Sequence, residues 1–462
     1  MPQSKTGSEL DRIFNPKSVV VIGASDKPGK HGNQIVKNLK EFGFEGIIYP
    51  VNPNINAVEA IRTYRSVLDI DTKPDLAIIV IPASGVPHVL GQCAKKEIKG
   101  AVIISGGFSE AGESGKDLQE QCLRIANSSG MRIIGPNCAG LFSAESKLHA
   151  SIATQQPLPG SDLAIISQSG SLRRVLLMKT KDALLGVSTY VNVGNQLDLD
   201  LCDFLEYFGN DDKCSSLVVL IEGLKDGRRF IETASEVTRK KPVIALAVGV
   251  SEPGRRTSKS HTSTMISSLE VYRSAFQKAG VIEVESLDQV CDVLAFALAA
   301  GRFMGHRIAL ICPGGGLAIH ATDIFQSRGI VLPKLSDNTA REIEKSLTEV
   351  VTIKTNPIDL GAVSKDMFLD SYKRCLSALS DDSTIDGICA ITLSDFYFPR
   401  KFADLTVEFS NTKKKKKPIM VIWIGEGEGV ASAKEGLRRN RVPIFNSLNS
   451  AADGLAKFLR LR

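Results

Sequence analysis

A chain of 462 residues, 43% hydrophobic and 23% charged, holds about three ordinary domains and is too apolar for a disordered polymer. Its net charge of +6, from 57 basic against 51 acidic residues, is mild, and no basic stretch interleaves with aromatics, which argues against a nucleic-acid partner. Nine scattered cysteines without a Cys-x-x-Cys pair offer neither a zinc site nor a disulfide framework, and no apolar run reaches membrane length; a cytoplasmic protein without membrane or metal is expected.

From Ser18 apolar strands alternate with amphipathic helices: strands at Val19–Ile22, Gly46–Val51, Leu76–Ile81, Ala101–Ile104 and Met131–Ile134, with helices such as Gln34–Phe42 and Lys116–Ser128 between them. That alternation predicts a parallel sheet covered on both faces, with ligands at the C-terminal strand ends. Those ends carry the unusual residues. The first strand runs into Gly23-Ala24-Ser25-Asp26-Lys27-Pro28-Gly29-Lys30-His31-Gly32, a turn suited to holding phosphate on backbone N–H groups, in which His31 reads as a helix-start residue. It lacks the Gly-x-Gly-x-x-Gly pattern. The second strand ends in Val51-Asn52-Pro53-Asn54 without the carboxylate that a dinucleotide site carries about 20 residues on, which counts against a nicotinamide enzyme. Ile81-Pro82-Ala83, Ser105-Gly106-Gly107-Phe108-Ser109-Glu110 and Gly135-Pro136-Asn137-Cys138-Ala139-Gly140 follow at later strand ends. In any one of these loops the glycines could serve only the turn.

A second alternating unit starts at Asp162. Strand Leu163–Ile166 leads into Ser167-Gln168-Ser169-Gly170-Ser171 and a helix over Leu172–Asp182. The Ser-Gly-Ser turn is either an anion cradle at a helix N-terminus or an ordinary cap. Strand Gly186–Val193 precedes Gly194-Asn195-Gln196, and strand Ser216–Ile221 ends in Glu222-Gly223. The apolar run Pro242–Val248 precedes a long basic stretch read as a loop, Gly249–Met265, which holds His261, and a helical pattern resumes at Ser268. A neutral imidazole there can take and release a phosphoryl group, and a carboxylate such as Glu222 could fix its tautomer; a solvated loop and a strand-end glutamate are the plainer alternatives. The last third repeats the pattern, with strands at Arg307–Ile311, Gly387–Thr392 and Pro418–Ile424, the turn Cys312-Pro313-Gly314-Gly315-Gly316 before a helix through Ser327, and Asn356-Pro357-Ile358-Asp359-Leu360. The lysine run Lys413–Lys417 reads as a solvated loop ahead of a strand.

These motifs, in this order, resemble the NDP-forming acyl-CoA synthetases (acetate–CoA ligase, ADP-forming, alpha subunit), relatives of the succinyl-CoA synthetase alpha subunit, and the likeness covers nearly the whole chain. It implies an α/β fold: a Rossmann-like CoA-binding domain over residues 1–150, a flavodoxin-like ligase domain with a phosphohistidine loop over 151–303, and a second such α/β domain over 304–462. It implies a CoA groove along Gly23, Ser25, Lys27, Pro53, Pro82, Ser105, Gly107 and Asn137. His261 resembles the phosphorylated histidine, Glu222 the carboxylate orienting it, and Ser169, Gly170 and Ser171 the phosphate site. The implied reaction interconverts acyl-CoA, ADP and phosphate with a carboxylic acid, CoA and ATP through an acyl phosphate. No ATP-grasp region appears, so an ATP-grasp beta subunit carrying Mg2+ and ADP/ATP is the implied partner, in a hetero-oligomer of which α2β2 is one arrangement; the other ligands are CoA and a small carboxylic acid. Two departures stand out. The family's Ser-His-Thr-Gly-Ala-Leu-Ala-Gly is replaced after Ser260-His261 by Thr262-Ser263-Thr264-Met265-Ile266-Ser267-Ser268, and its small residues after Ser-Gly by Leu172-Arg173-Arg174. A non-catalytic CoA-binding or regulatory paralogue is therefore the alternative reading.

Overall fold

The predicted alternation condenses into three parallel sheets. The protein is represented by a computed structural model that describes residues 5–160, 163–258, 268–299, 303–347, 355–394, 398–412 and 417–459. Two compact units divide it, one from residues 1–181 and 186–285, the other from 182–185 and 286–462.

In the first unit, β1 (Ser18–Ile22), β2 (Ile47–Val51), β5 (Leu76–Ile79), β6 (Gly100–Ile103) and β7 (Arg132–Ile134) form a parallel sheet in the order β2-β1-β5-β6-β7, beside a two-residue ribbon of β3 (Ala57–Val58) and β4 (Ile61–Arg62). Its central strands are buried, as apolar runs covered by helices on both faces must be. The order reverses between β1 and β5, so the Gly23 and Pro82 loops leave the sheet at a topological switch point, where open α/β sheets bind ligands.

The second sheet runs β14 (Ile282–Glu283), β13 (Val243–Ala247), β12 (Ser216–Ile221), β10 (Leu163–Ser167), β11 (Thr189–Asn192), β8 (Gly140–Ser143) and β9 (Leu148–Ser151). Its five parallel strands repeat the order of the first sheet. The antiparallel hairpin β8–β9 extends it through β11, so this sheet draws on residues ahead of 151. The hairpin is buried on both faces and carries no two-residue alternation to mark it in the sequence.

The two sheets of this unit share a core. Phe14, at the end of the helix Lys5–Phe14, stacks on Tyr207 at 5.5 Å and meets Phe208 edge-on at 5.2 Å. Arg132 donates to Asp198 at 2.9 and 3.2 Å and to Glu9 at 2.7 Å, while Asp198 also accepts the Ile133 N–H at 2.8 Å. Burial alone would lower the Arg132 pKa, but these two carboxylates raise it. Such a half-buried, bidentate pair holds its geometry better than a surface ion pair. It fixes the start of β7 against the turn after β11.

The second unit contains β15 (Ile308–Cys312), β16 (Ile358–Asp359), β17 (Gly387–Leu393), β18 (Ile419–Ile424) and β19 (Ile444–Phe445), ordered β16-β15-β17-β18-β19, the same order a third time. The helix Leu287–Ala297, assigned by sequence to the middle segment, packs here through Phe296 on Phe445 and Phe458, at 5.1 and 6.2 Å.

The stretch read as a loop, Gly249–Met265, contains a helix at Glu252–Ser258. Ser251 starts it: its carbonyl accepts the Arg255 N–H at 2.8 Å and its hydroxyl the Gly254 N–H at 3.1 Å. Ser-Glu-Pro is a helix-start signal, with proline where no intrahelical N–H is needed. His261 and residues 262–267 lie outside the described residues.

Candidate active site

The site forms where loops of the first two sheets meet. β10 ends in the buried Ser167, and the helix Gly170–Asp182 begins three residues later. The Ser167 hydroxyl donates to the Ser169 carbonyl at 2.7 Å, and the Ser169 hydroxyl accepts the Leu172 N–H at 3.4 Å and lies 3.2 Å from that of Ser171. First-turn N–H groups have no partner within a helix, and 13 aligned peptide units place a partial positive charge behind them. Two hydroxyls and a helix start therefore converge as an anion cradle.

Glu222, which follows the end of β12, borders the same cavity as this cradle. Its placement comes from Gln168, which sequence reasoning passed over. The Gln168 carboxamide oxygen accepts the N–H groups of Glu222 and Gly223, the latter at 2.9 Å, and its amide donates to the Gly223 carbonyl at 2.6 Å. A buried glutamine reading both sides of a peptide fixes its orientation. The motif that follows serves the same end. Asp226 caps the helix Gly227–Thr238 by accepting from Arg228 and Arg229 at 3.0 Å each, and Arg229 bridges Asp200 and Asp203 at 2.8 and 2.5 Å. Asn192 is a second buried polar clamp, accepting the Ala139 N–H at 2.6 Å and donating to the carbonyls of Ser167 and Gln168 at 2.8 and 3.1 Å. Both were findable in principle: an amide side chain at the end of an apolar strand, as in Ser-Gln-Ser and Tyr-Val-Asn-Val, needs buried partners.

Across the cavity, Ser105 donates to the Ile81 carbonyl at 2.5 Å and the Asn137 N–H to the Ser105 carbonyl at 2.8 Å. Asn137 stands at φ +56°, next to the cis Gly135–Pro136 peptide. Gly194 must approach this turn closely: it holds φ +53°, and a Cβ there would lie 2.2 Å from the Pro136 carbonyl oxygen. The next residue then closes the contact, the Asn195 N–H donating to Pro136 O at 2.8 Å. Glu110 ties the two sheets' loops together. Its carboxylate accepts the N–H groups of Gly107 and Phe108 at 2.6 and 3.2 Å and the Asn195 amide at 2.5 Å. Burial alone would raise its pKa, but these donors outweigh it and hold the carboxyl below its usual range.

Between these walls lies a cavity of about 770 Å³, within the range of small-molecule and cofactor sites. It brings together Ser105, Asn137, Ser169, Gly170, Ser171 and Glu222 from the sequence-expected set, and adds Gln168, Asn192, Asn195, Gln196 and His31. His31 is also the first residue of its helix, as expected. Gly23, Ser25, Lys27, Pro53, Pro82 and Gly107 are not part of its wall. They follow the C-terminal ends of β1, β2, β5 and β6; the Gly23 N–H is bonded to Val51 O at 3.0 Å, and the Lys27 N–H to the Ser25 hydroxyl at 3.2 Å. Gly32 lets the first loop fold onto its helix, since a Cβ there would meet Gly23 O at 2.0 Å. Among the described residues no three His, Cys, Asp or Glu side chains converge as a metal site, and no helix is long and apolar enough to cross a membrane.

Comparison with known proteins gives the family. Residues 17–144 match the CoA binding domain family, and residues 160–297 the succinyl-CoA ligase like flavodoxin domain family. The chain is 36% identical over 439 residues to the alpha subunit of acetate–CoA ligase [ADP-forming] II of Pyrococcus furiosus, covering 94% of each chain. The chain belongs to the ADP-forming acetate–CoA ligase family. To the alpha subunit of that organism's ligase I it is 37% identical, covering 97% of this chain and 96% of the relative. The apo form of the "dinucleotide forming Acetyl-coenzyme A synthetase 1" of Ca. Korarchaeum cryptofilum superposes with a TM-score of 0.89 at 32% identity, covering 98% of both chains. Another structure of that enzyme is in complex with phosphate and ADP, again at a TM-score of 0.89 and 32% identity. A CoA-binding sheet followed by a ligase sheet, the order expected from the motifs, is thus the architecture of this family member.

Proposed function

We propose that this family member is the alpha subunit of an ADP-forming acyl-CoA synthetase, with the cavity between its first two sheets as the reaction chamber. One observation carries the reading: Ser105 and Asn137, from the CoA-type sheet, border the same cavity as the Ser169–Ser171 cradle and Glu222, from the ligase sheet. CoA would lie along the loops that end β1, β2, β5 and β6, with its thiol end entering the cavity. Phosphate held at the Gly170 helix start attacks the thioester carbonyl of acyl-CoA; the carbon–sulfur bond breaks and acyl phosphate and CoA form. The helix dipole and N–H groups offset the charge on the phosphoryl oxygens. His261 then takes the phosphoryl group, the carboxylate of the acid leaves, and Glu222 steadies the imidazolium.

The phosphohistidine would give its phosphoryl group to ADP on an ATP-grasp beta subunit, which would also supply Mg2+ in the assembled hetero-oligomer. Support for a partner comes from the relatives' names: the two Pyrococcus furiosus relatives, which this chain covers to 94% and 96% of their length, are named as alpha subunits. Among the described residues no two cysteines form a disulfide, which fits a reducing, cytoplasmic setting. The test is mass spectrometry of the purified chain after incubation with acetyl phosphate and CoA. An acid-labile phosphate on His261, absent from His261→Ala, is the expected result. A chain that binds CoA but takes no phosphate from any acyl phosphate, alone or with its beta subunit, would overturn the reading in favour of a regulatory CoA-binding paralogue.

A further inference from the structure

Among the described residues, three ionisable side chains line the cavity: His31, Cys138 and Glu222. Cys138 is committed to the fold. Its Sγ donates to the Ile103 carbonyl at 3.3 Å, and burial pushes its thiol up to about 12. Glu222 comes from the ligase sheet and is assigned to the phosphoryl step. His31 comes from the other sheet, and no step above uses it.

The fold brings His31 to this wall through its own helix, His31–Glu41. The N–H groups of Asn33 and Gln34 both reach the Lys30 carbonyl at 3.0 Å, so backbone alone closes the first turn and the imidazole is not needed there. His31 is exposed, whereas Asn38, seven residues on and therefore on the same helix face, is buried. Asn38 donates to the carbonyls of Ser151 and Ala153 at 2.8 and 2.7 Å. Ile152, between those two, lines the cavity together with His31. One helix face is thus tied to both neighbours of a wall residue that follows the ligase sheet's hairpin.

His31 is also the one residue of the Gly23–Gly32 loop that borders the cavity. CoA laid along that loop, with its thiol end in the cavity, passes the imidazole on the way in. A thiol becomes a strong nucleophile only on losing its proton, and imidazole is the side chain suited to exchange that proton near neutral pH.

Resting on the acyl-CoA synthetase reading, we propose that His31 is the general base for the CoA thiol. In thioester synthesis a ring nitrogen takes the S–H proton as sulfur attacks the carbonyl carbon of the acyl phosphate. The carbon–oxygen bond to phosphate breaks, the electron pair leaves with phosphate, and acyl-CoA forms. The imidazolium then passes its proton to the departing phosphate. In the reverse direction the imidazolium protonates the leaving thiolate, so CoA departs as the thiol.

Thioester formation by the full chain from acetyl, propionyl or butyryl phosphate and CoA tests this, beside calorimetric titration with CoA alone. His31→Gln keeps a polar side chain of similar reach that cannot take up a proton. Its rate at saturating CoA should fall by about 10²-fold or more, with CoA affinity close to wild type. In His31→Ala, added imidazole should restore part of the rate. The ring is exposed, so neither change empties the core, and retained CoA binding shows a folded chain. A His31→Gln chain as fast as wild type would overturn the proposal. So would a loss confined to CoA affinity, which would make His31 a residue of the groove, or a slow His31→Ala chain that imidazole leaves slow. A wild-type chain that binds CoA but forms no thioester from any of the three acyl phosphates would remove the synthetase reading itself, and this assignment with it.

Discussion

Replacing Gln168 by alanine should unfasten the loop that carries Glu222. Three hydrogen bonds are lost, from the N–H groups of Glu222 and Gly223 and to the Gly223 carbonyl, in a residue only 8% exposed. At about 1 kcal/mol net for each, the loss is about 3 kcal/mol, which for a unit of this size corresponds to about 6 °C in melting temperature. Gln168→Glu separates the hydrogen bonds from the volume. It keeps the acceptor for both N–H groups but sets a carboxylate oxygen against the Gly223 carbonyl, 2.6 Å from where the amide nitrogen stood. At neutral pH it should destabilise about as much as alanine does, and it should recover part of the loss when acid protonates the new carboxyl. On the proposed mechanism, phosphoryl transfer to His261 should fall by about 10²-fold in both variants, because Glu222 is no longer held in place. Urea unfolding gives the stability, and the rate of acyl phosphate-dependent His261 labelling gives the transfer step. A Gln168→Glu variant as stable and as fast as wild type would refute the clamp.

Two further outcomes follow from single residues. Gly194→Ala adds a Cβ 2.2 Å from Pro136 O at φ +53°, so it should cost about 3 kcal/mol and weaken CoA binding by parting the Asn137 and Asn195 turns; wild-type stability in urea would refute the close-approach argument. Asp382 accepts from the Thr384 N–H and hydroxyl at 2.8 and 2.6 Å and from the Ser336 N–H at 3.0 Å, and although burial opposes it, these donors bring its pKa from 3.8 down to about 2. Because the folded value lies below the unfolded one, its stabilisation is complete above about pH 4 and disappears as pH falls through about 2. Acid unfolding of Asp382→Asn should lack that component, and identical acid profiles would count against it.

Part of the candidate site is legible in the sequence. Of the residues expected from the motifs and the family resemblance, Ser105, Asn137, Ser169, Gly170, Ser171 and Glu222 border one cavity, whereas Gly23, Ser25, Lys27, Pro53, Pro82 and Gly107 are not part of its wall and His261 lies outside the described residues. Loop residues at strand ends can be named from local pattern because a parallel sheet sends them to one edge. Gln168 and Asn192 were missed because their value lies in partners up to 55 residues away. The β8–β9 hairpin was missed because burial on both faces erases the alternation that marks a strand.

What the sequence by itself determined was the alternation of strand and helix, the loops at the strand ends and the kind of chemistry those loops could hold. Hydrophobic period and turn chemistry are written in residues a few positions apart. Only the tertiary structure decided that one strand order is used three times, that the hairpin joins the second sheet, and that the Asn137 and Gly194 turns press together beside the Gly170 helix start. Those facts depend on which distant surfaces exclude water together, and that choice is made by the whole core rather than by any local stretch.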